Sequence, residues 1–423
     1  MNAETGDQDA APATQPHVVI VGAGFAGLAA ATALSTAPVR TTVVDKHNYN
    51  TFQPLLYQVA TAGLNPGDVA YPVRTYITHH PRVRFRQGTV SGVDLDDRKI
   101  RFEDGGELSY DYLIVTTGAT TNYFGVAGAE HHSLAIYTLD DALAVRDRIF
   151  AQLEKAAALG SAHGELTVVV VGGGATGVEM AGALAELRAM ALKTTYRELD
   201  PAAERVVLVE RLDRLLAAFD ERLSRYAAAS LIGRGVEVRL NESVAEVGDD
   251  KVVLESGDVI PCGLVVWAAG VATTELAQSL DLPRSRGGRI EVGPDLRVPS
   301  RPEIFVAGDV AATPDGDELL PQLAQPAIQT GTHAGLQVCR LVEGLGTKAF
   351  RYKDKGTMAT IGRRSAVAEL PGGIRLRGTL AWIAWLALHV FTLIGFRNRL
   401  SVLLNWSWRY VSWRRGPRVI VGG

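Results

Sequence analysis

At 423 residues the chain exceeds what one hydrophobic core normally organises, so two compact domains plus an appendage are expected, with room to bury a large cofactor. A formal net charge of −3 argues against nucleic acid as a main partner, which would call for a basic domain. Cys262 and Cys339 are the sole cysteines, and they form neither a C-x-x-C pair nor a ligand cluster. The adjacent pairs His79/His80 and His131/His132 lack the i, i+4 spacing of two ligands on one helix face. A disulfide framework, a thiol redox centre and a metal site are therefore not expected.

The first segment, MNAETGDQDAAPATQP (1–16), is polar and Ala/Pro-rich, with no positive region ahead of an apolar run. It reads as a disordered leader rather than a signal peptide. From His17 the chain runs HVVIVGAGFAGLAAATALS: a β-branched strand, then Gly22-x-Gly24-x-x-Gly27, then an Ala/Leu helical pattern. Gly22 permits the tight turn, Gly24 lets a pyrophosphate approach the backbone, and Gly27 lets helix and strand pack closely. Phosphate oxygens then meet the helix N-terminus. The next strand, TTVVD, ends in Asp45, where a carboxylate can accept ribose hydroxyls. DYLIVTTGA, Asp111 to Ala119, reads as a further buried parallel strand followed by a glycine turn.

The pattern recurs at LTVVVVGGGATGVEMAGALAEL, with Gly172, Gly174 and Gly177 after a β-branched strand. Its acid comes late, at Glu210, because a polar helical segment, about 189 to 203, extends the crossover. That carboxylate would repel the 2′-phosphate of NADPH and so favours NADH, although Arg211 beside it blunts the preference. VVWAAGV, Val265 to Val271, supplies a later strand and turn, with Trp267 readable as core. EIFVAGDVA, Glu303 to Ala311, places Asp309 after another strand, and LPQLAQPAIQTGTHAG, Leu320 to Gly335, opens a helix. Pro326 suits the first helical position, which would make Gln325 the cap and put Gln329 one turn on, on the same face. From Leu376 the composition changes: Leu380 to Phe396 is an apolar run of 17 residues containing His389. After it Trp406, Trp408 and Trp413 interleave with Arg409, Arg414 and Arg415. A transmembrane anchor, a monotopic helical pair and a buried dimer interface all remain open; the Trp/Arg interleaving favours the pair lying in an interface.

Two dinucleotide folds in one chain suggest one dinucleotide held and one exchanged. The segments VGAGFAGL, DKHNYNTFQPLLYQVATAGL, TTGATTNYFGV, VVGGGATGVEMAGALAEL, VVWAAGV, IFVAGDVA, LAQPAIQTG and YKDKGTMATIGRRSAV resemble those of a two-dinucleotide-domain flavoprotein. Within that superfamily the chain resembles the type II NADH:quinone oxidoreductases, which are single-subunit and non-pumping, from His17 to about Ile420. FQPLL, AQPAIQ and DKGTMATIGR carry more of this match than the glycine loops. The resemblance departs at one place, where Asn50 stands in NYNTF instead of an expected histidine, so no imidazole role transfers.

The resemblance implies an α/β fold with parallel, doubly wound sheets. It divides the chain into an FAD domain (17–125 and 288–345), an inserted NADH domain (126–287) and a C-terminal quinone-side and membrane-anchoring segment (346–423). Non-covalent FAD would be held by the Gly22, Gly24 and Gly27 loop with Phe25 and Ala26, by Asp45, Lys46, Gln53 and Val90, and by Thr117, Gly118, Asp309 and Ala324. NADH would meet Gly172, Gly174, Ala175, Thr176 and Gly177, together with Glu179, Glu210, Ala269 and Gly270. Glu179, Gln325, Gln329 and Lys355 are the expected catalytic set. Glu179 resembles the acid at the flavin–nicotinamide contact, its bland reading being an acid on the first helical turn favoured by the macrodipole. The uncharged amides would bond a quinone carbonyl without adding a charge to a lipid-lined tunnel, and Lys355 would be a cationic neighbour.

The expected activity passes electrons from NADH through FAD to a membrane quinone, menaquinone or ubiquinone. It would run in a peripheral homodimer on the cytoplasmic face of an anionic cell membrane. A soluble-acceptor reductase of the ferredoxin or rubredoxin type, and a membrane-associated flavoprotein that senses NADH without turnover, remain as alternatives.

Overall fold

A computed structural model describes residues 15–160, 165–200, 204–285 and 287–412, with side chains as far as 408. The expected leader lies outside the described residues up to position 14, as do Trp413, Arg414, Arg415 and the side chain of Arg409. The chain divides into two compact units, one of residues 1–50, 72–119 and 273–352, the other of 51–71, 120–272 and 353–423. The units thus change at 119/120 and 272/273, and residues 51–71 fall in the second unit. The reason is local: the short helix Leu56–Ala60 packs on the helices Leu139–Leu159 and Ala175–Thr194.

The first unit is built on a six-stranded sheet ordered Arg297–Val298, Arg301–Val306, Tyr112–Val115, His17–Val21, Arg40–Asp45, Val83–Gln87. All neighbours are parallel except the antiparallel edge pair Arg297–Val298 and Arg301–Val306. Val18, Val19 and Ile20 are fully buried in the central strand, which is why it reads as an unbroken β-branched run. The strand order reverses at this central strand, and the crevice beyond its carboxyl end is where such sheets take ligands. The glycine helix Phe25–Leu34 follows it and crosses the long helix Ala324–Val342 with backbones almost touching. A Cβ on Gly331 would lie 2.1 Å from the Ala26 carbonyl oxygen, so no larger residue is accommodated there.

The second unit repeats the plan. Its parallel sheet is ordered Leu134–Ala135, Leu264–Trp267, Thr167–Val171, Arg205–Glu210, Val236–Leu240. The second glycine helix, Ala175–Thr194, lies against the strand Thr357–Gly362 of a three-stranded antiparallel sheet completed by Ser365–Leu370 and Ile374–Arg377. Contact there is again backbone-close, since a Cβ on Gly182 would meet the Ile361 carbonyl at 2.1 Å.

Two helices end the described chain, Gly378–Thr392 and Phe396–Ser412. The apolar run is therefore broken, and no described helix is long and apolar enough to cross a membrane. The break sits at Gly395, whose φ is +84° and whose Cβ, if present, would strike the Tyr71 ring. The last helix is amphipathic in an inverted sense. Its inward face carries Asn398, Ser401, Asn405 and Trp406, which hydrogen-bond to Ala70, Asp68, Asp68 and Gln58 respectively. Outward stand the exposed apolar residues Phe396, Leu400, Leu403, Leu404 and Trp408, continued on the preceding helix by Leu380, Ile383 and Phe391. Such a surface fits the monotopic reading.

Candidate active site

The first glycine loop is shaped by collisions that side chains would cause. Gly22 has φ +108° with the Thr116 carbonyl 2.3 Å from any Cβ, and a Cβ on Gly27 would lie 1.8 Å from the Gly22 carbonyl. Gly24, by contrast, has open space in front of it, leaving the backbone accessible to a pyrophosphate. Thr116 Oγ1 donates to the carbonyls of Val21 and Gly22 and so locks the loop. Asp45 accepts from Ala23 N–H at 2.6 Å and His47 N–H at 2.8 Å, which fixes the carboxylate and leaves lone pairs for ribose hydroxyls. Asn50, where an imidazole was expected, is buried and donates from Nδ2 to the Ala23 carbonyl at 2.9 Å. It therefore braces the same loop, a role an amide can fill.

Gln325 Oε1 and Arg289 Nε are among the buried polar atoms of this unit that lack a protein partner, with Thr41 Oγ1, Tyr110 OH and Thr313 Oγ1. A buried acceptor and a buried donor left unmet are costly unless a ligand satisfies them. Burial holds the Arg289 pKa below its usual value, with Asp309 opposing the shift. The open Gly24 cradle, the fixed Asp45 and these orphan atoms fit a dinucleotide flavin with its phosphates at the loop. Thr117 Oγ1 is bonded to Thr274 at 3.1 Å beside Gly118, while Lys46 follows Asp45 directly and its carbonyl takes a bond from Gln87. Val90 starts an antiparallel strand facing Phe102.

One expectation is corrected here. The helix begins at Ala324 with Leu323 as its cap, so Gln325 is the second helical residue and not the cap, and Pro326 is the third. Proline fits because none of the first-turn N–H groups needs an intrahelical acceptor. The i, i+4 relation of Gln325 and Gln329 survives the shift.

The second loop matches the first almost atom for atom. Gly172 has φ +107°, a Cβ on Gly177 would lie 1.8 Å from the Gly172 carbonyl, and Gly174 faces open space. Glu210 accepts from Gly173 N–H and from Leu212 N–H, as Asp45 does from its own loop. Ala268 takes the place of Thr116, its N–H donating to Val171 as Thr116 N–H donates to Val21. Ala269 and Gly270 follow, with Trp267 buried and its N–H on the carbonyls of Asn122 and Ala269. Ala175 and Thr176 form the first helical positions, where N–H groups are unspent.

Glu179 departs from its expected setting. It is the fifth residue of its helix, in the second turn, 9% exposed, and the macrodipole reading does not hold. Burial raises its pKa to about 8, against which the Thr360 N–H works by donating to Oε1 at 3.2 Å. A pKa raised to about 8 favours the neutral carboxylic acid at neutral pH. The Trp385 indole N–H lies near the same carboxyl without reaching hydrogen-bond geometry. Glu179 lines a narrow cleft together with Tyr57, Gln58, Thr360, Trp382 and Trp385. None of these five neighbours was singled out from sequence; Trp385 and His389, stacked at 3.9 Å, do carry an i, i+4 signal in the tail. Gln53 reaches the Tyr137 carbonyl at 3.5 Å in this unit, and Lys355 is exposed on the loop before Thr357–Gly362. Among the described residues no group of His, Cys, Asp and Glu could hold a metal. Both cysteines are free, and burial pushes the Cys262 thiol up to about 12, so it offers no thiolate.

Two doubly wound units, each with a glycine loop and a terminal acid, define a two-dinucleotide flavoprotein reductase. The family model for pyridine nucleotide-disulphide oxidoreductases matches residues 16–331 and that for the NDH2 C-terminal domain residues 355–415. Two Mycobacterium tuberculosis proteins, the type II NADH:quinone oxidoreductases Ndh and NdhA, are 36% and 38% identical, over 97% and 96% of this chain and 91% and 89% of their own lengths. A structure of NDH2 from Plasmodium falciparum in complex with NADH superposes with TM-score 0.88 at 21% identity, covering 96% of this chain and 100% of its own. The chain belongs to the type II NADH:quinone oxidoreductase family.

Proposed function

We propose that this chain carries out NADH + H⁺ + quinone → NAD⁺ + quinol without moving protons across a membrane. FAD, when bound, accepts hydride from NADH and passes two electrons to the acceptor. The Gly22–Gly27 loop, Asp45 and Thr117 hold that group, and the Gly172–Gly177 loop with Glu210 holds NADH. Gln325 and Gln329 present neutral amides whose N–H groups can donate to a quinone carbonyl, and Lys355 supplies positive charge on the quinone side.

The observation that carries the reading is Glu179: an acid buried beside Tyr57, Trp382 and Trp385, its pKa raised by that burial to about 8, in the unit whose terminal helices turn an apolar face outward. Such a group holds a proton that an accepting carbonyl oxygen needs. The outward apolar face supports docking on a lipid surface, and exposed Arg375, Arg377 and Arg397 support an anionic one, on the cytoplasmic side. The homodimer implied by the family resemblance belongs to the same proposal.

The test is steady-state oxidation of NADH by the FAD-loaded protein in anionic vesicles carrying a menaquinone or a ubiquinone. Turnover with either quinone is expected, with sedimentation of the protein on the vesicles. Turnover confined to ferredoxin-like acceptors, or FAD reduction with no turnover at all, would replace the reading with one of its alternatives.

A further inference from the structure

In the second unit the strand order reverses at Thr167–Val171, which has Arg205–Glu210 on one side and Leu264–Trp267 on the other. Glu210 ends the first of these and takes the adenosine ribose in the reading above. A dinucleotide with its pyrophosphate on the Gly172–Gly177 loop therefore sends its nicotinamide half across the end of Leu264–Trp267. The turn there, Ala268 to Gly270, touches the glycine loop, since a Cβ on Gly172 would come 2.9 Å from Ala269 Cα. Gly270, at the end of the same turn, lies against the Phe124 ring, which a Cβ at Gly270 would strike. Phe124 belongs to the segment TTGATTNYFGV, which carries part of the family resemblance and has no role in the account so far.

Phe124 is held there in a strained backbone. Its φ is +52°, a left-handed conformation that bulky side chains rarely adopt, and its ring is 63% exposed. Single exposed rings are common; this one is also tied to the turn it covers. Its N–H donates to Asn122 Oδ1 at 2.8 Å, the Asn122 N–H reaches the Gly270 carbonyl at 3.4 Å, and the Asn122 carbonyl accepts from Trp267 Nε1 at 2.9 Å. Tyr123, the residue between, packs on the Trp267 ring with centroids 5.6 Å apart. One ring of the pair thus joins the core and the other stays out over Gly270. Strain that the surroundings over-determine in this way gathers at ligand sites. We propose that Phe124 is the apolar rest for the nicotinamide riboside of NADH, covered when the dinucleotide binds. The proposal rests on the assignment of the second loop to NADH and adds the residue that meets its reacting half. A phenyl ring suits both oxidation states: dihydronicotinamide is uncharged and nearly flat, and the positive ring of NAD⁺ is attracted by the aromatic quadrupole.

The experiment measures binding to the FAD-loaded protein by calorimetry with two ligands. One is a tetrahydronicotinamide analogue of NADH, which keeps the ring and cannot give up hydride; the other is ADP-ribose, which lacks the ring. Phe124→Asn removes the phenyl group and tolerates the left-handed backbone. It should weaken the analogue about tenfold, the worth of one ring contact, and leave ADP-ribose unchanged. Phe124→Tyr should bind both ligands as wild type does. Equal weakening of both ligands in Phe124→Asn, an unchanged analogue, or a loss in Phe124→Tyr as large as in Phe124→Asn would overturn the proposal. Phe124→Leu, which keeps apolar volume without the flat ring, decides in the same way if Phe124→Asn does not fold. Wild-type protein that binds neither ligand would instead overturn the assignment of NADH to the second loop.

Discussion

The two glycine helices, Phe25–Leu34 and Ala175–Thr194, are the same device with one informative difference. Each loop closes with the third glycine against the carbonyl of the first, and each acid ties back to the residue after that first glycine. Two residues beyond the last glycine stands Ala29 in one helix and Glu179 in the other. Shared geometry explains nucleotide binding in both units. The extra acid has no part in that geometry, and burial raises its pKa to about 8.

The largest effects should come from breaking the shared geometry on one side at a time. Gly27→Ala would place a Cβ 1.8 Å from the Gly22 carbonyl, and the purified protein should lack FAD absorbance. Gly177→Ala makes the matching collision with Gly172, yet should keep FAD and lose its reduction by NADH. Identical losses in the two variants would dissolve the division of labour.

A smaller effect tests Glu179 through stability. Its folded pKa of about 8 lies above the ordinary carboxyl value of 4.5, so the folded state holds a proton that the unfolded chain releases between those limits. This contribution is fully present below 4.5 and is lost as pH rises toward 8. The wild-type melting temperature should therefore carry a fall across this window that Glu179→Gln lacks; parallel curves would refute a neutral acid.

Glu210→Gln should raise KM for NADH about tenfold, as expected for losing hydrogen bonds to a charged group, and narrow the gap to NADPH. The smallest change is Arg211→Glu, which should widen that gap by about twofold, within the range of an exposed charge, as read from paired NADH and NADPH rates.

Much of this was legible along the chain because the glycine loops are local: turn, approach and packing are set within about ten residues, and Asp45 and Glu210 fall at predictable strand ends. What distant parts of the chain decide was not legible. Glu179 becomes neutral because the strand Thr357–Gly362 and Trp385 bury it, and nothing near Glu179 in sequence announces either. The run Leu380 to Phe396 looked continuous because it is apolar throughout, while its break is set by Gly395 passing under Tyr71. The helix start before Gln325 was misplaced by giving proline its favoured first position when the third was equally free of a required N–H.

In the function proposed above, Glu179 supplies its proton to the acceptor half of the reaction. Rapid mixing of the FAD-loaded Glu179→Gln variant first with NADH and then, once reduced, with a quinone in vesicles separates that half from the nucleotide half. Flavin reduction should match wild type while reoxidation slows at least about a hundredfold, the usual worth of a positioned proton donor. Reduction slowed as much as reoxidation, or reoxidation at the wild-type rate, would contradict it.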